Sequence, residues 1–208
     1  MSKIYKKFWN DSKLFGIILI LLTLSFPNCK KKDLGPDIES IQRDRSLDVR
    51  SSVAKLLPII FEWRLKDWKL NADPKTNEWI LDVSYGGTTA LTFHSTEEYS
   101  KDTVETHALY HLKLISALSH LPIREIRLNL TKPLYVKGET KPESEIQEFE
   151  IYRTKTDGSK IAEILTKNKN INLFDSSNLD QKKIREMIDE AQKFWIVELN
   201  ELPRITLE

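Results

Sequence analysis

Apolar and polar residues alternate along the chain with two different periods, and the period changes several times. From Ile38 the apolar positions recur at helical spacing, and Pro58 predicts the end of this first helix. A period of two then marks 61–70 and 78–85, which flank the turn-rich segment 71–77. This arrangement predicts a β-hairpin.

The start of the hairpin has a competing interpretation, because Phe61, Leu65 and Trp68 are also spaced like one face of a helix. In that case the first helix continues to Trp68. The glycine pair at 86–87 interrupts the pattern and predicts a turn, and 89–93 predicts a third strand.

The clearest helix follows, and either Ser100 or Asp102 is a suitable N-cap for it. Pro122 marks its end. Its apolar stripe consists of Val104, Ala108, Leu112, Ile115 and Leu118.

The C-terminal half repeats both patterns. Alternation over 124–130 and 148–154 predicts two paired strands joined by a long acidic connector, and a short helix is expected over 159–166. A last helix starts near Ser177, where Asp180 three residues later resembles a capping box. This helix presents Ile184, Met187 or Ile188, Ala191 and Trp195.

The order of these elements favours the α+β fold class. We expect one mostly antiparallel sheet of about five strands, with helices packed on one face. The length of 208 residues suits one domain plus a leader, so 38–208 is interpreted as a single α+β domain.

The first 28 residues have the pattern of a signal peptide. A basic segment over 1–13 precedes a 13-residue apolar run from Leu14 to Phe26, which is shorter than the roughly 20 residues of a membrane-spanning helix. An Ala-x-Ala cleavage site is impossible here, because the first alanine is Ala54. Thr23-x-Ser25 is the alternative for ordinary cleavage, and an uncleaved anchor is the other alternative.

The only cysteine, Cys29, closes this apolar run after Phe26, Pro27 and Asn28. A lone cysteine in this place resembles the lipobox of bacterial lipoproteins, in the relaxed form seen in spirochaetes. The resemblance implies that the thiol receives a diacylglycerol, that the leader is cut before Cys29, and that the new amine is acylated, for example with palmitate. Residues 29–37 then form a lipidated tether, and the domain has no free thiol for a disulfide, a metal or catalysis.

The charge distribution excludes one class of partner. Residues 1–28 contain four lysines and one aspartate; removing them from the 32 basic and 31 acidic residues leaves a net charge of −2. Nucleic-acid-binding domains have a basic surplus gathered on one face. No nucleic-acid partner is therefore predicted.

The helix over 100–122 holds the one arrangement that suggests metal chemistry. His107 and His111 are four residues apart, which places two imidazoles on one helix face, and His94, Glu97 or Glu98 would supply a third ligand. The sequence lacks the glutamate of a His-Glu-x-x-His motif. The alternative is that both histidines flank the apolar stripe as part of the core.

Two other groups have a structural interpretation. The tryptophans Trp63, Trp68 and Trp79 suggest either core and cross-strand packing, with Trp63 facing Trp79, or an aromatic binding face for sugar or peptide. Paired acids are interpreted as solvated charge because none lies in a pattern that would desolvate it. These acids are Glu97-Glu98, Glu148 with Glu150, and Asp189-Glu190.

The sequence therefore predicts a lipid-anchored cell-envelope protein with a binding or structural role. Its expected partners are a lipid bilayer, contacted through acylated Cys29, and an envelope protein or a host ligand. The outer membrane is the expected location, and no cofactor or catalytic residue is predicted. The alternative function is a metal-dependent hydrolase that uses His107 and His111.

Overall fold

The computed structural model describes residues 33–76, 78–87, 97–133, 148–175 and 180–202, which belong to one compact unit that begins at Asp33. Within these ranges no helix is both long and apolar enough to cross a bilayer. The elements, in chain order, are α1 (Gly35–Arg43), α2 (Val49–Phe61), a 3-10 turn (Glu62–Arg64), β1 (Leu65–Ala72), β2 (Trp79–Gly86), α3 (Glu97–Leu118), β3 (Ile123–Pro133), β4 (Glu148–Asp157), α4 (Gly158–Lys167), α5 (Gln181–Gln192) and β5 (Trp195–Asn200).

The five strands form one sheet in the order β1-β2-β3-β4-β5. Three neighbouring pairs are antiparallel, whereas β2 and β3 are parallel. The parallel pair arises because α3 carries the chain back along the sheet between these two strands, as a parallel connection requires. The expected α+β class, with a mostly antiparallel sheet of five strands, is confirmed.

The core lies between the helices and one face of the sheet. Alternate strand residues point to that face and are buried, as the period of two requires. These buried strand residues include Leu70, Leu81, Val83, Tyr85, Ile126, Leu128, Leu130, Tyr152, Thr154 and Thr156. The intervening positions are mainly polar and at least partly exposed, so the described helices pack on one face of the sheet.

The N-terminal helical region differs from the sequence prediction at both ends. It consists of two helices, and α1 starts at Gly35, inside the expected tether 29–37, because Pro36 suits the first turn of a helix. Pro58 lies within α2 and does not end it. The helix ends three residues later, at Phe61, and the φ of 52° at the next residue, Glu62, takes the chain out of the helical conformation.

The hairpin of β1 and β2 is confirmed, although its first strand starts at Leu65 and the preceding residues are helical. The competing helix to Trp68 is wrong, because Trp68 lies in β1 opposite Val83. The expected pair of Trp63 with Trp79 is also wrong. Trp63 precedes the strand, and Ala72 is the residue opposite Trp79.

The glycine pair at 86–87 does not form a simple turn. Gly86 is the last residue of β2 and pairs with Thr131 of β3. A Cβ atom there would lie 2.2 Å from the carbonyl oxygen of Thr131, so only glycine allows the two backbones to approach this closely. The expected third strand, 89–93, lies outside the described residues.

The later elements agree with the sequence except at particular boundaries. The strands β3 and β4 pair as expected, and α4 covers the expected short helix. The helix α3 starts at Glu97, so Ser100 and Asp102 lie within it and are not its N-cap. The N-cap of α5 is Asp180 rather than Ser177, which lies outside the described residues, and Trp195 belongs to strand β5, which the pattern did not predict.

Candidate functional site

The lipid-attachment residue predicted from the sequence, Cys29, lies outside the described residues. The histidine pair predicted as an alternative site lies within them. Both His107 and His111 have an exposed fraction of 0%. Their spacing places them on the face of α3 that packs against the sheet, one helical turn apart.

Four side chains form a continuous hydrogen-bonded chain, here called the Tyr–His cluster: Tyr85, His107, Thr154 and His111. The hydroxyl of Tyr85 lies 2.8 Å from Nδ1 of His107. The Nε2 atoms of His107 and His111 lie 2.8 and 2.6 Å from Oγ1 of Thr154. The cluster therefore joins β2, α3 and β4 through buried polar contacts.

The hydrogens of the cluster have a restricted arrangement. A threonine hydroxyl has one hydrogen, so Thr154 donates to one imidazole and accepts an N–H from the other. Nδ1 of His111 is buried without a hydrogen-bond partner among the described residues. The arrangement of lowest free energy leaves Nδ1 of His111 without a hydrogen, because unpaired buried N–H groups are rarer than unpaired acceptors. Nε2–H of His111 then donates to Thr154, and Thr154 donates to His107.

Aromatic rings enclose the cluster. The rings of Tyr152 and Trp195 pack edge-on or tilted against the imidazoles, with centroid distances of 4.8 Å from His107 to Tyr152 and 5.4 Å from His111 to Trp195. Tyr110 packs edge-on against Tyr85 with a centroid distance of 4.9 Å. These contacts keep water away from the ring nitrogens.

This enclosure keeps both histidines neutral. Burial lowers the pKa of His111 from 6.5 to about 3. Burial, and to a lesser extent the neighbouring His111, lowers the pKa of His107 well below 6.5. A charged imidazole is disfavoured here because no described carboxylate accompanies it in the low-dielectric core.

The cluster fits the core interpretation of the two histidines better than the metal interpretation. Hydrogen bonds occupy three of the four ring nitrogens, and the described part of the chain contains no group of three or more potential metal ligands. His94 and the side chains of Glu97 and Glu98 lie outside the described residues, so the three-ligand site stays a prediction. Sequence reasoning missed Tyr85 and Thr154, which are distant in sequence and belong to no recognised motif.

Three of the paired acids form ion pairs at the protein surface, whereas the side chains of Glu97 and Glu98 lie outside the described residues. Glu148 contacts Lys66 and Thr131, and Glu150 contacts Arg153. Glu190 Oε1 lies 3.2 Å from Nζ of Lys167. These contacts are consistent with the expected solvated charge.

The sheet face opposite the helices carries a second polar group. Arg127 Nε lies 2.7 Å from Oε1 of Glu125 and 3.9 Å from Oδ1 of Asp82, and Lys155 Nζ lies 3.2 Å from Oε1 of Glu198. Partial burial raises the pKa of Asp82, although Arg127 opposes this effect. Because cations and carboxylates alternate across the sheet, this face suits polar contact rather than apolar packing.

Comparison with protein-family models, with curated proteins and with solved structures gives no significant match. The functional interpretation therefore rests on the residues and the geometry of this chain.

Proposed function

We propose that this chain is a lipid-anchored cell-envelope protein whose α+β domain binds another component of the envelope or a host ligand. The observation that carries the proposal is the position of the only cysteine. Cys29 directly follows the leader-like segment 1–28, and Lys30, Lys31 and Lys32 follow it.

The physical chemistry of acylation supports a stable anchor. Each buried CH₂ group contributes about 0.8 kcal/mol, so two or three acyl chains on Cys29 hold a protein on a bilayer essentially permanently. The three lysines would lie beside the lipid headgroups, where each adds about 1 kcal/mol if the lipids are anionic. The outer membrane is the proposed location.

A binding role accounts for the domain better than the metal-dependent hydrolase does. His107 and His111 are neutral, enclosed by aromatic rings and bonded to Tyr85 and Thr154, so they serve the packing of the core. The charged sheet face and the exposed ring of Trp63 remain accessible to a partner. Exposed aromatic residues are enriched at protein interfaces, so Trp63 is the better candidate for such a contact.

The anchor is tested by metabolic labelling with palmitate in cells that express the natural chain or its Cys29→Ala variant. We expect label in the natural chain only. We also expect the variant to accumulate at the larger size of the uncut chain, because lipobox cleavage follows lipidation.

The Ser25→Phe variant is the matched control, because a bulky residue blocks ordinary cleavage at Thr23-x-Ser25 and leaves Cys29 intact. It should be labelled and cut like the natural chain. Equal sizes and no label in the natural and Cys29→Ala chains would contradict the proposal.

Elemental analysis of the membrane-extracted chain separates the two function classes. We expect no stoichiometric metal. One zinc per chain, lost in His107→Ala, would favour the hydrolase instead.

A further inference from the structure

We infer that a short tether holds one side of the domain, formed by the start of α1 and the loop 168–172, against the surface of the lipid bilayer. The charged sheet face is then turned away from the membrane. This inference rests on the proposed acylation of Cys29 and adds to it the orientation of the domain.

The length of the tether is the first argument. The compact unit begins at Asp33, four residues after Cys29. An extended chain spans at most about 3.6 Å per residue, so Asp33 lies within about 14 Å of the acylated residue. A compact domain of about 170 residues has a radius of gyration of about 16 Å and is about 40 Å across. Because the tether is much shorter than this diameter, the side from which it leaves the domain faces the bilayer.

Hydrogen bonds fix the place from which the tether leaves. The side-chain amide of Asn172 donates to Oδ1 of Asp33 over 3.3 Å, and the same oxygen accepts the backbone N–H of Gly35 over 2.9 Å. The backbone N–H of Leu34 donates to the carbonyl oxygen of Phe174 over 3.3 Å. Because Phe174 is buried in the core, these bonds hold the start of the domain beside Asn172.

The start of α1 lies on the helix side of the sheet. Helix α1 packs mainly on α2 and α3, and the buried side chain of Ile38 joins it to the core. The charged sheet face lies on the opposite side, where Asn71 is exposed next to the buried Leu70 of β1. A helix with its side chains is about 10 Å across, so at least this thickness separates the two sides.

The exposed groups near the tether suit contact with lipid headgroups. Lys169 and Asn170 are exposed, and their side chains donate hydrogen bonds, which the phosphate and ester oxygens of lipids accept. Asp33 and Asp37 lie at the start of α1, so this side carries both signs of charge. The length of the tether, rather than charge, therefore sets the contact.

The test measures how close two introduced thiols lie to the bilayer. Asn170→Cys lies in the loop 168–172, and its matched control, Asn71→Cys, replaces an exposed asparagine on the charged sheet face. Each full chain is extracted from membranes, labelled with a thiol-reactive nitrobenzoxadiazole and reconstituted into phosphatidylcholine vesicles that carry a nitroxide on the headgroup. An acylated Cys29 does not react, so the introduced cysteine is the only thiol that is labelled.

We expect the nitroxide to quench about half of the fluorescence of labelled Asn170→Cys and about a tenth of that of Asn71→Cys, because the helix layer separates Asn71 from the bilayer. Insertion of twelve Gly and Ser residues after Lys32 adds an average reach of about 20 Å, so it should reduce the quenching of Asn170→Cys about twofold.

The proposal is overturned by equal quenching at the two positions, by stronger quenching of Asn71→Cys, or by undiminished quenching in the insertion variant. The natural chain, taken through the same labelling, should stay unlabelled. Labelling of the natural chain would show a free thiol at Cys29 and would overturn the anchor itself, so failure of the orientation and failure of the anchor remain distinguishable.

Discussion

At the scale of single residues, Thr154 has the most consequential position in the described core. Its hydroxyl is the only hydrogen-bond partner that the structure shows for Nε2 of both His107 and His111. Two residues later on β4, Thr156 is equally buried, and its hydroxyl has no partner in the described part of the chain. These two threonines provide a matched comparison.

We expect Thr154→Val to lower the free energy of unfolding by about 3 kcal/mol, because it leaves two buried ring nitrogens unpaired. Thr156→Val should change it by less than about 1 kcal/mol, because an unpaired hydroxyl is replaced by a methyl group. Urea unfolding of the full chain in detergent, followed by tryptophan fluorescence, measures both. Equal losses in the two variants would mean that the Tyr–His cluster contributes no specific stability.

The two neutral histidines predict acid sensitivity. The pKa values of both histidines are below 6.5 in the folded chain, and that of His111 is about 3. As the pH falls, the unfolded chain therefore binds protons before the folded chain does. Stability is therefore complete above pH 6.5 and is lost between pH 6.5 and about 3. Between pH 6.5 and 5, His111 alone should remove about 2 kcal/mol from the free energy of unfolding, and His107 acts in the same direction.

The control for this pH dependence is His111→Leu, which should reduce the loss between pH 6.5 and 5 by about 2 kcal/mol. His120→Gln, in the exposed turn after α3, should retain most of the loss. A free energy of unfolding that does not change over this pH range would contradict the assignment of neutral, buried imidazoles.

The sequence predicted part of this residue-scale picture. The spacing of His107 and His111 placed both on one helix face, and their neighbours in the apolar stripe suggested the core. Tyr85 and Thr154 are 22 and 47 residues from His107, and only the pairing of the strands brings them near it. A local pattern has no information about such contacts.

At the scale of elements, the N-cap residue of α5, Asp180, makes two different interactions with Lys183. The side chain of Asp180 accepts a hydrogen bond of 3.2 Å from the backbone N–H of Lys183, and its other oxygen lies 3.9 Å from Nζ of Lys183. The first interaction is a helix cap, and the second is an exposed ion pair of little expected strength.

We expect Asp180→Ala to lower the free energy of unfolding by about 1 kcal/mol, since the first turn of α5 loses its cap. Asp180→Asn keeps a capping oxygen and removes the charge, so it should retain most of the stability. Urea unfolding of both variants measures the difference. If Asp180→Asn is as unstable as Asp180→Ala, the ion pair rather than the cap stabilises the helix.

Strand β5 is an edge strand with an unusual surface. The exposed fractions of Ile196 and Val197 are 58% and 45%, and that of Phe194, just before the strand, is 40%. The opposite edge, β1, instead carries the exposed charges Lys66, Asp67 and Lys69, which protect an edge against pairing with another chain. The apolar edge at β5 favours association.

We expect Ile196→Glu to reduce heat-induced association of the full chain, because it places a charge on the apolar edge opposite Lys155. Ile196→Val, which keeps an apolar β-branched residue, should associate like the natural chain. Light scattering during slow heating measures this. Unchanged scattering in Ile196→Glu would show that β5 is not the associating surface.

The sequence predicted some helices and strands correctly and others not, for physical reasons. Strands β3 and β4 were found because alternation persists over many residues. The predicted end of helix α2 came too early, because a proline removes only one backbone hydrogen bond, the one to the preceding turn. The packing of Ile60 and Phe61 in the core extends the helix beyond Pro58. Strand β5 was missed because its apolar run starts two residues after α5, and Trp195 continues the helical spacing from Ala191.

At the scale of the whole molecule, the proposed lipid anchor and the folded α+β domain are separate parts of one chain. The fold class followed from the order of the predicted elements, although the parallel pairing of β2 with β3 did not. The anchor depends on Cys29, which the described residues do not include, and only chemistry on the native protein tests it.

The most direct test is the intact mass of the native protein extracted from its membrane. We expect the mass of residues 29–208 plus the diacylglycerol and any further acyl chain. A mass equal to the unmodified 208-residue chain would contradict it, because the leader would then be an uncleaved anchor and Cys29 an ordinary thiol.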